Sequence, residues 1–286
     1  MAGETFDRTL EDLGNIVHLE HVNVRVPDQQ LATQFYVVAL GLTRDPYLMV
    51  GLDNMWINIG ASQFHLPTAA PQVLRGCTGL VIPDFDELPA RLAAAGRLKG
   101  TKFSYTVAAD HADVTCPWGN RIRLHRPGPR FRRMELGMPY VEFPVPQGTA
   151  AGIARFYTQI MAAPARVATN GSVAAEVTVG TSQKLIFRET AEALENYDGH
   201  HIAIYIADFS GPHRRMVERG IVSEESNPYQ YRFVEITDPD NGKVMFEIEH
   251  EVRCVTHPMY RRPLINRNPA QRQPTYVAGR DARVWA

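Results

Sequence analysis

The 286-residue sequence has few cysteines, little net charge and no long apolar run, and each shortage excludes a class of protein. Its three cysteines, Cys77, Cys116 and Cys254, stand far apart and form no CxxC pair, so we expect no disulfide framework and a cytoplasmic location. A formal net charge of −1 argues against nucleic-acid or membrane-surface binding driven by bulk electrostatics. No apolar run is long enough to cross a bilayer, and the acidic N-terminus does not resemble a signal peptide.

The composition is that of a globular protein with a sizeable core. Hydrophobic residues make up 44% of the chain and charged residues 21%, which excludes a disordered protein. The length allows one large domain or two ordinary ones. Internal repeats decide how such a chain is divided.

Four stretches of the sequence share one kind of opening, in which an apolar run ends in a polar residue seven positions after its first residue. The openings are His21–Asp28, Cys77–Asp84, Tyr140–Gln147 and His201–Asp208. Each is typical of a buried strand that leads into a helix, and Asp, which ends three of the four, is a favoured helix N-cap. The four openings therefore indicate an internal repeat.

The first three units share one predicted order of elements, which is strand, helix and three further strands, and the fourth has a strand, a helix and two further strands. The first unit has strands at Ile16–Val26, Thr43–Val50, Asn54–Ile59 and Gln63–Leu66, with a helix over residues 29–39 between Asp28 as N-cap and Gly41 as stop. The second has strands at Gly79–Ile82, Lys102–Ala108, Ala112–Thr115 and Arg121–His125, with a helix capped by Asp84. The third has strands at Tyr140–Val145, Ala165–Ala168, Ala174–Val179 and Lys184–Arg188, with a helix at Ala150–Met161. In the fourth, a strand after Gly199 and a helix at Gly211–Gly220 precede two predicted strands, Gln230–Ile236 and Val244–Glu249.

The units divide the chain into two predicted halves. The first half covers residues 16–128, with units at 16–68 and 75–128, and the second covers 139–252, with units at 139–190 and 198–252. Residues 129–138 form a linker, because two prolines and a basic run interrupt the periodicity. Residues 1–15 and 253–286 are tails. The second tail carries Met259, Tyr260, Leu264, Tyr276 and Trp285, which favour packing on the body, and flexible disorder from about residue 266 onward is the equal alternative.

This pattern resembles the vicinal oxygen chelate superfamily, which includes glyoxalases, bleomycin-resistance proteins and extradiol dioxygenases. The resemblance is carried by four stretches and covers roughly residues 16 to 250: His21–Asp28, the helix end Phe35-Tyr36 with Leu40-Gly41-Leu42, His201–Asp208, and the turn Asp238-Pro239-Asp240-Asn241-Gly242. It implies an α+β fold in which four βαβββ modules form two open, cup-shaped mixed β-barrels with the helices outside. It also implies a divalent metal inside a cup, held by residues of the first and last strands of two paired units. A homodimer is a further expectation from the superfamily.

Two of the four units offer good metal ligands at the positions that this resemblance implies. The opening positions are His21, Cys77, Tyr140 and His201. The closing positions are His65 in unit one, 44 after His21, Arg123 in unit two, residues 184–186 in unit three, and Glu247 in unit four, 46 after His201. Arginine has no lone pair to give, so units two and three would bind an ion poorly.

The uneven pattern leads to the hypothesis that unit one pairs with unit four and that His21, His65, His201 and Glu247 bind one metal ion. Units two and three would then form a second cup without a metal. The more usual pairing of one with two and three with four would separate the ligands. Under that pairing Glu142 completes a site with His201 and Glu247. Glu249 is a second candidate for the role of Glu247, and His200 is a second candidate for that of His201.

Three functions remain open at this point. The first is a lyase or isomerase of glyoxalase or epimerase type, in which Fe, Mn, Zn, Ni or Co binds two neighbouring oxygens of a small substrate while Glu247 or another base moves a proton and Tyr205 positions the substrate. The second is an Fe(II) or Mn(II) ring-cleaving dioxygenase with His21, His201 and Glu247 as its metal triad. The third is a metal-free protein that binds a small molecule in an aromatic cup.

Overall fold

The computed structural model describes residues 7–48, 53–169 and 171–266. Unit one comprises β1 (Ile16–Asn23), helix α1 (Gln29–Ala32, continued by a π-helical turn Thr33–Ala39), β2 (Thr43–Arg44), β3 (Asn54–Ile59) and β4 (Ser62–Pro67). Unit two comprises β5 (Cys77–Val81), α2 (Leu88–Ala94), β6 (Ser104–Val107), β7 (His111–Thr115) and β8 (Arg121–His125). Unit three comprises β9 (Gly137–Pro146), α3 (Ala150–Arg155, continued by the π-helical turn Phe156–Ile160), β10 (Ala165–Ala168), β11 (Ala174–Gly180) and β12 (Gln183–Thr190). Unit four comprises β13 (His201–Ile206), α4 (Ser210–Val217), β14 (Val222–Asn227), β15 (Gln230–Thr237) and β16 (Val244–Cys254), and short 3-10 turns lie at Arg8–Glu11, Phe85–Glu87, Gly96–Leu98 and Pro129–Phe131.

The sixteen strands form two eight-stranded sheets. The first sheet has the order β14-β15-β16-β13-β1-β4-β3-β2, and the second has the order β10-β11-β12-β9-β5-β8-β7-β6. The first sheet is therefore built from units one and four and the second from units two and three, as the ligand pattern predicts. Both sheets are open and mixed, because parallel pairs such as β1 with β4 alternate with antiparallel ones such as β1 with β13. The predicted α+β fold with two open cups is confirmed.

Helices cover the outer faces of the sheets through aromatic contacts. The Tyr36 ring of α1 lies 5.1 Å from the Phe64 ring on β4, and the Tyr157 ring after α3 lies 5.6 Å from the Phe187 ring on β12. All four side chains are buried in the core. Because successive strand residues point to opposite faces, this packing directs the neighbours of Phe64, including His65, to the inner face of the first sheet.

Local signals explain how the first helix begins and ends. The Asp28 carboxylate accepts a hydrogen bond of 2.9 Å from the backbone N–H of Leu31, which is the predicted N-cap contact. Gly41 has a φ of +77°, the left-handed conformation that ends a helix and that glycine adopts without strain. Asp84 does not act as predicted: its carboxylate makes no helix-cap hydrogen bond and instead pairs with Arg91, 2.5 Å away.

Several observed strands depart from the predicted ones, and strand β16 runs on to Cys254, five residues beyond the predicted Val244–Glu249. Strand β14 was not predicted, because its residues are mostly exposed and polar and lack apolar alternation. The strand predicted at Thr43–Val50 is observed only at β2, and residues 49–52 lie outside the described residues.

The segment after β16 packs on unit one. Leu264 is buried, Arg262 Nη2 donates to Asp45 Oδ2 at 2.9 Å, and the Asn266 amide exchanges two 3.0 Å hydrogen bonds with the backbone of Gly60. The predicted packing of the tail is confirmed as far as residue 266, whereas Tyr276 and Trp285 lie outside the described residues. Within the described ranges, no helix has both the length and the apolarity to cross a membrane.

Candidate metal centre

Three histidine side chains meet on the inner face of the first sheet. His21 on β1, His65 on β4 and His201 on β13 each place one ring nitrogen within 4.8 Å of the others. Nε2 of His21 lies 3.5 Å from Nε2 of His201, and the centroids of the His21 and His65 rings are 5.6 Å apart. The structure thus brings together the three histidines that the sequence pattern singles out.

Strand register explains why residues so distant in sequence converge. The partner of Asn23 on parallel strand β4 is His65, and its partner on antiparallel strand β13 is His201. His21 lies two residues before Asn23 on β1, so it points to the same face and sits between the two flanking histidines. The pairing of units one and four is what completes the group.

A β-bulge in β1 adds a carboxylate to this face. Leu19 pairs with Ile204 and His21 with Ala203, so Glu20 is an extra residue between consecutive pairs. The buried Glu20 carboxylate accepts a short hydrogen bond from His21 Nδ1 and a 3.1 Å bond from Arg253 Nη1. A proton held on Nδ1 leaves the lone pair of His21 on Nε2, directed at the group.

The other side of the group is aromatic. The Trp56 ring stacks on the His65 ring with 3.9 Å between centroids and 11° between planes, and it meets the His21 ring edge-on at 5.1 Å. Asn23 Nδ2 lies 2.7 Å from His65 Nδ1. These contacts fix the orientation of both histidine rings.

Burial keeps two of the histidines neutral. Burial, together with the nearby His21, lowers the pKa of His65 to about 3. It also lowers the pKa of His201 well below the usual value, with His21 again the next cause. A neutral imidazole is the form that binds a metal, so the environment selects the ligand form of both rings.

The donor set fits a divalent transition metal. Nε2 of His65 is buried and has no hydrogen-bond partner among the residues that the structure describes, and the close nitrogens of His21 and His201 face each other. A buried polar atom without a partner is costly, and coordination would satisfy all three nitrogens at once. Imidazole nitrogens suit Fe, Ni, Co, Zn and, with a carboxylate, Mn.

A carboxylate that was not predicted stands beside the histidines. In unit four, Ala203 on β13 pairs with Glu251 on β16, and in unit one the corresponding Asn23 on β1 pairs with His65 on β4. Glu251 is therefore the position in unit four that corresponds to His65. Its side chain is buried, and its Oε2 lies 3.6 Å from His201 Nε2. It also accepts a 2.6 Å hydrogen bond from Arg232 Nη2 and contacts the guanidinium of Arg253.

Several solved structures have a similar fold. Glyoxalase I from Zea mays aligns with 83% of this chain and 92% of its own, at 12% sequence identity and a TM-score of 0.59. A candidate dioxygenase from Bacillus subtilis aligns with 85% of this chain and 86% of its own, at 15% identity and a TM-score of 0.56. This chain has the vicinal oxygen chelate fold. No family sequence model matches it, and no curated protein matches it significantly.

Within this vicinal oxygen chelate fold, Glu247 does not join the histidines. Glu247 is exposed on β16 opposite Glu235, and its backbone carbonyl accepts a hydrogen bond from Arg75. Strand β16 runs on to Cys254, so the ligand position lies four residues further along the strand than a fixed offset from His201 suggests. The missed signal was the alternation of Glu249, Glu251 and Arg253, which extends the strand.

Tyr205 also lies away from the three histidines. It follows His201 by four residues on β13, which places it about 13 Å along the strand. Its hydroxyl lies 3.4 Å from Arg253 Nη1, and its ring packs 4.9 Å from that of Tyr260. Arg253 connects Tyr205 to the buried Glu20 and Glu251 beside the histidines, so the contacts support a role in positioning that arginine.

The remaining candidate ligands take different places. Glu249 Oε1 lies 3.3 Å from His201 Nδ1, at the half-exposed edge of the group. His200 is buried against Asp198, 2.6 Å away, next to the group but not in it. Glu142 pairs with Arg188 in the second sheet, and so the usual pairing of units that would have needed it as a ligand is not the one observed.

Proposed function

We propose that this protein is a metal-dependent enzyme that acts as a lyase or isomerase, of glyoxalase or epimerase type, on a small molecule with two neighbouring oxygens. The observation that carries the proposal is the convergence of His21, His65 and His201 beside Glu251 on one face of the first sheet. These four residues would hold the ion. When bound, a divalent ion supplies Lewis acidity to the substrate oxygens.

The residues around the ion supply proton transfer and charge. Glu249 is half-buried at the edge of the group, beside His201 and 2.5 Å from Arg232 Nη1, where it can take a proton from a substrate carbon. Burial raises the pKa of Glu249, and the neighbouring Arg232 opposes that rise. Arg232 holds both Glu249 and Glu251, so it fixes the base relative to the ligand.

The first test is elemental analysis of purified protein. We expect about one transition-metal ion per chain in the wild type and its loss in both His21→Ala and His201→Ala, because these residues come from different units of one centre. His111→Ala, which removes a strand histidine from the second sheet, is the matched control and should keep the ion. Circular dichroism of each variant shows that the fold is retained.

The outcomes separate the candidate functions. Loss of the metal ion in His201→Ala but not in His21→Ala would mean that His21 is not a ligand. Absence of metal from the wild type, even after reconstitution with Zn, Ni, Co, Mn and Fe(II), would reject the metal-dependent enzyme and leave a metal-free binding protein. Exchange of the α-hydrogen of hydroxyacetone with deuterium from the solvent, followed by NMR, tests for the isomerase chemistry itself.

A ring-cleaving dioxygenase is the second candidate. His21, His201 and Glu251 lie in consecutive contact, with 3.5 Å and 3.6 Å between the nearest side-chain atoms, and two histidines with one carboxylate are the ligands of many Fe(II) oxygenases. Oxygen uptake by Fe(II)-loaded protein with catechol, absent from the Zn form, would favour it over the isomerase.

A further inference from the structure

The second sheet, which carries none of the three candidate ligand histidines, lines an open cavity of about 630 Å³. This volume lies within the range of sites that bind small organic molecules. The polar residues that line its walls include Cys77, Arg121, Arg123, Tyr140, Glu142 and Arg188. The cavity belongs to units two and three and is therefore separate from the candidate metal centre.

Strand register shows what replaces the metal ligands in this cup. Gly79 pairs with Tyr140 and with Arg123, as Asn23 pairs with His201 and with His65 in the first sheet. The residues that correspond to His21, His65, His201 and Glu251 are thus Cys77, Arg123, Tyr140 and Ile186, respectively. Ile186 has no atom that could bind a metal ion. The guanidinium of Arg123 stands where the first sheet has a metal ligand, and it offers N–H groups but no lone pair.

Most charges that line the cup are already paired. Asp113 accepts two hydrogen bonds from Arg123, at 2.6 and 3.0 Å, and Glu142 accepts two from Arg188, at 2.9 and 3.0 Å. Glu189 Oε1 accepts from the backbone N–H of Ala150 at the start of α3. Glu192 is exposed at the rim.

Of the three arginines that line the wall, Arg123 and Arg188 have a carboxylate partner, whereas Arg121 has none among the described residues. Its Nε donates to the carbonyl of Gly76 at 3.2 Å, which fixes the direction of the side chain. Among the described residues, no carboxylate lies within ion-pair distance of the Arg121 guanidinium. Arg121 is the partner of Cys77 in the register of β5 and β8. A fork of donors beside a cavity, already oriented by one bond and lacking an anion, matches a carboxylate.

We propose that the cup of units two and three is a second, metal-independent site that binds a small organic carboxylate, with Arg121 as the anchor of the carboxylate and Cys77 on the cavity wall. The exposed ring of Tyr105 and the ring of Pro144 also line the cavity and give an apolar body a surface to pack on. An aromatic acid therefore fits both the charged and the apolar parts of the lining.

Calorimetry with benzoate, succinate and the uncharged analogue benzamide tests this site, on wild-type protein treated with a chelator. We expect saturable binding of at least one of the two acids and none of benzamide. Arg121→Gln should weaken that binding at least tenfold and leaves no carboxylate without its partner. Arg97→Gln, an exposed arginine elsewhere on unit two, and His201→Ala in the other cup should bind as the wild type does.

Protection of Cys77 from alkylation tests whether the acid binds in this cavity. Cys116 and Cys254 are buried, whereas Cys77 is partly accessible. Burial raises the pKa of its thiol to about 11, so the reaction with iodoacetamide is followed at pH 9 by mass spectrometry. We expect a saturating acid to slow alkylation of Cys77 at least threefold in the wild type and not in Arg121→Gln. Absence of acid binding, or binding that neither protects Cys77 nor depends on Arg121, would overturn the proposal.

Discussion

The charged residues beside the three histidines form a chain of alternating sign. It runs from Glu20 through Arg253, Glu251 and Arg232 to Glu249, and each arginine contacts a carboxylate on either side. Breaking a buried pair by removing one partner leaves a charge without compensation, which costs about 3–5 kcal/mol. The chain therefore holds these carboxylates in place beside the three histidines, where an approaching cation meets Glu251.

Glu251 and Glu247 differ in their expected effect on metal binding, although both lie on β16. Glu251→Gln keeps the shape of the side chain but removes the negative charge 3.6 Å from His201, so affinity for the metal should fall at least tenfold. Glu247→Gln changes an exposed side chain and should leave affinity within about twofold. Competition with a chromogenic chelator measures both values. Equal losses of metal affinity in the two variants would mean that Glu247 also takes part in metal binding.

The residues of the centre were predictable where they repeat a pattern and not where a strand changes length. His21, His65 and His201 stand at corresponding positions of their units, and alternation along the strands is enough to bring them to one face. Glu251 needs the register of β16 against β13, which the longer turn before β16 conceals. The bulge that turns Glu20 toward His21 has no signature in the sequence, because any residue can occupy it.

The turn between β3 and β4 shows how a short element sets the position of a ligand. Gly60 lies in this turn with a φ of +63°, and a Cβ built on it would lie 2.2 Å from the carbonyl oxygen of Leu136 in the connection between the two halves. The turn therefore holds unit one against the start of unit three. It also leads directly into β4, which carries His65.

Gly60→Ala should destabilise the protein by about 1–3 kcal/mol, because it adds both a strained φ and a clash with backbone that cannot move cheaply. Gly96→Ala is the control, since a Cβ at that position meets nothing within 4 Å, and its effect should stay within about 0.5 kcal/mol. Urea unfolding at pH 7.5 gives both free energies. A loss in Gly96→Ala as large as that in Gly60→Ala would contradict the steric argument.

Elements with strong apolar periodicity were predicted well, and elements defined by backbone detail were not. Strands Asn54–Ile59, Arg121–His125 and Ala165–Ala168 have the predicted bounds because their alternation and flanking turns agree. The apolar pattern of the first helix does not distinguish α from π winding at Thr33–Ala39, since both bury Phe35 and Tyr36. Strand β14 is an exposed edge strand, and polar edge residues carry little signal.

One sheet joins the first and last units of the chain, and the other joins the two middle units. Strands β1 and β13 pair across nearly the whole described chain, so the candidate metal centre exists only after unit four has folded onto unit one. Contacts so distant in sequence are slow to form. The predicted boundaries of the units do not reveal this, because the pairing depends on which residues line the cups.

His250 links the two sheets and should make stability depend on pH. Its ring is fully buried on the outer face of β16, stacks on Phe233 at 4.3 Å and takes part in a 2.7 Å hydrogen bond with Tyr157 of unit three. Nδ1 donates to the carbonyl of Ile248, so Nε2 accepts from the Tyr157 hydroxyl and the ring is neutral. Burial lowers the pKa of His250 to about 4 in the folded protein.

The unfolded chain, in which histidine titrates near pH 6.5, binds a proton at His250 before the folded protein does. The contribution of this residue to stability is therefore complete above pH 6.5 and is lost as the pH falls from 6.5 to 4, by about 3 kcal/mol in total. His250→Gln removes the titration, whereas the other buried histidines titrate equally in both proteins. Urea unfolding at pH 7.5 and pH 4.5 should thus show a smaller loss of stability on acidification in His250→Gln than in the wild type. His111→Gln, in the second sheet, should lose as much stability on acidification as the wild type does. Equal losses of stability in all three proteins would mean that His250 does not couple the junction of the two sheets to pH.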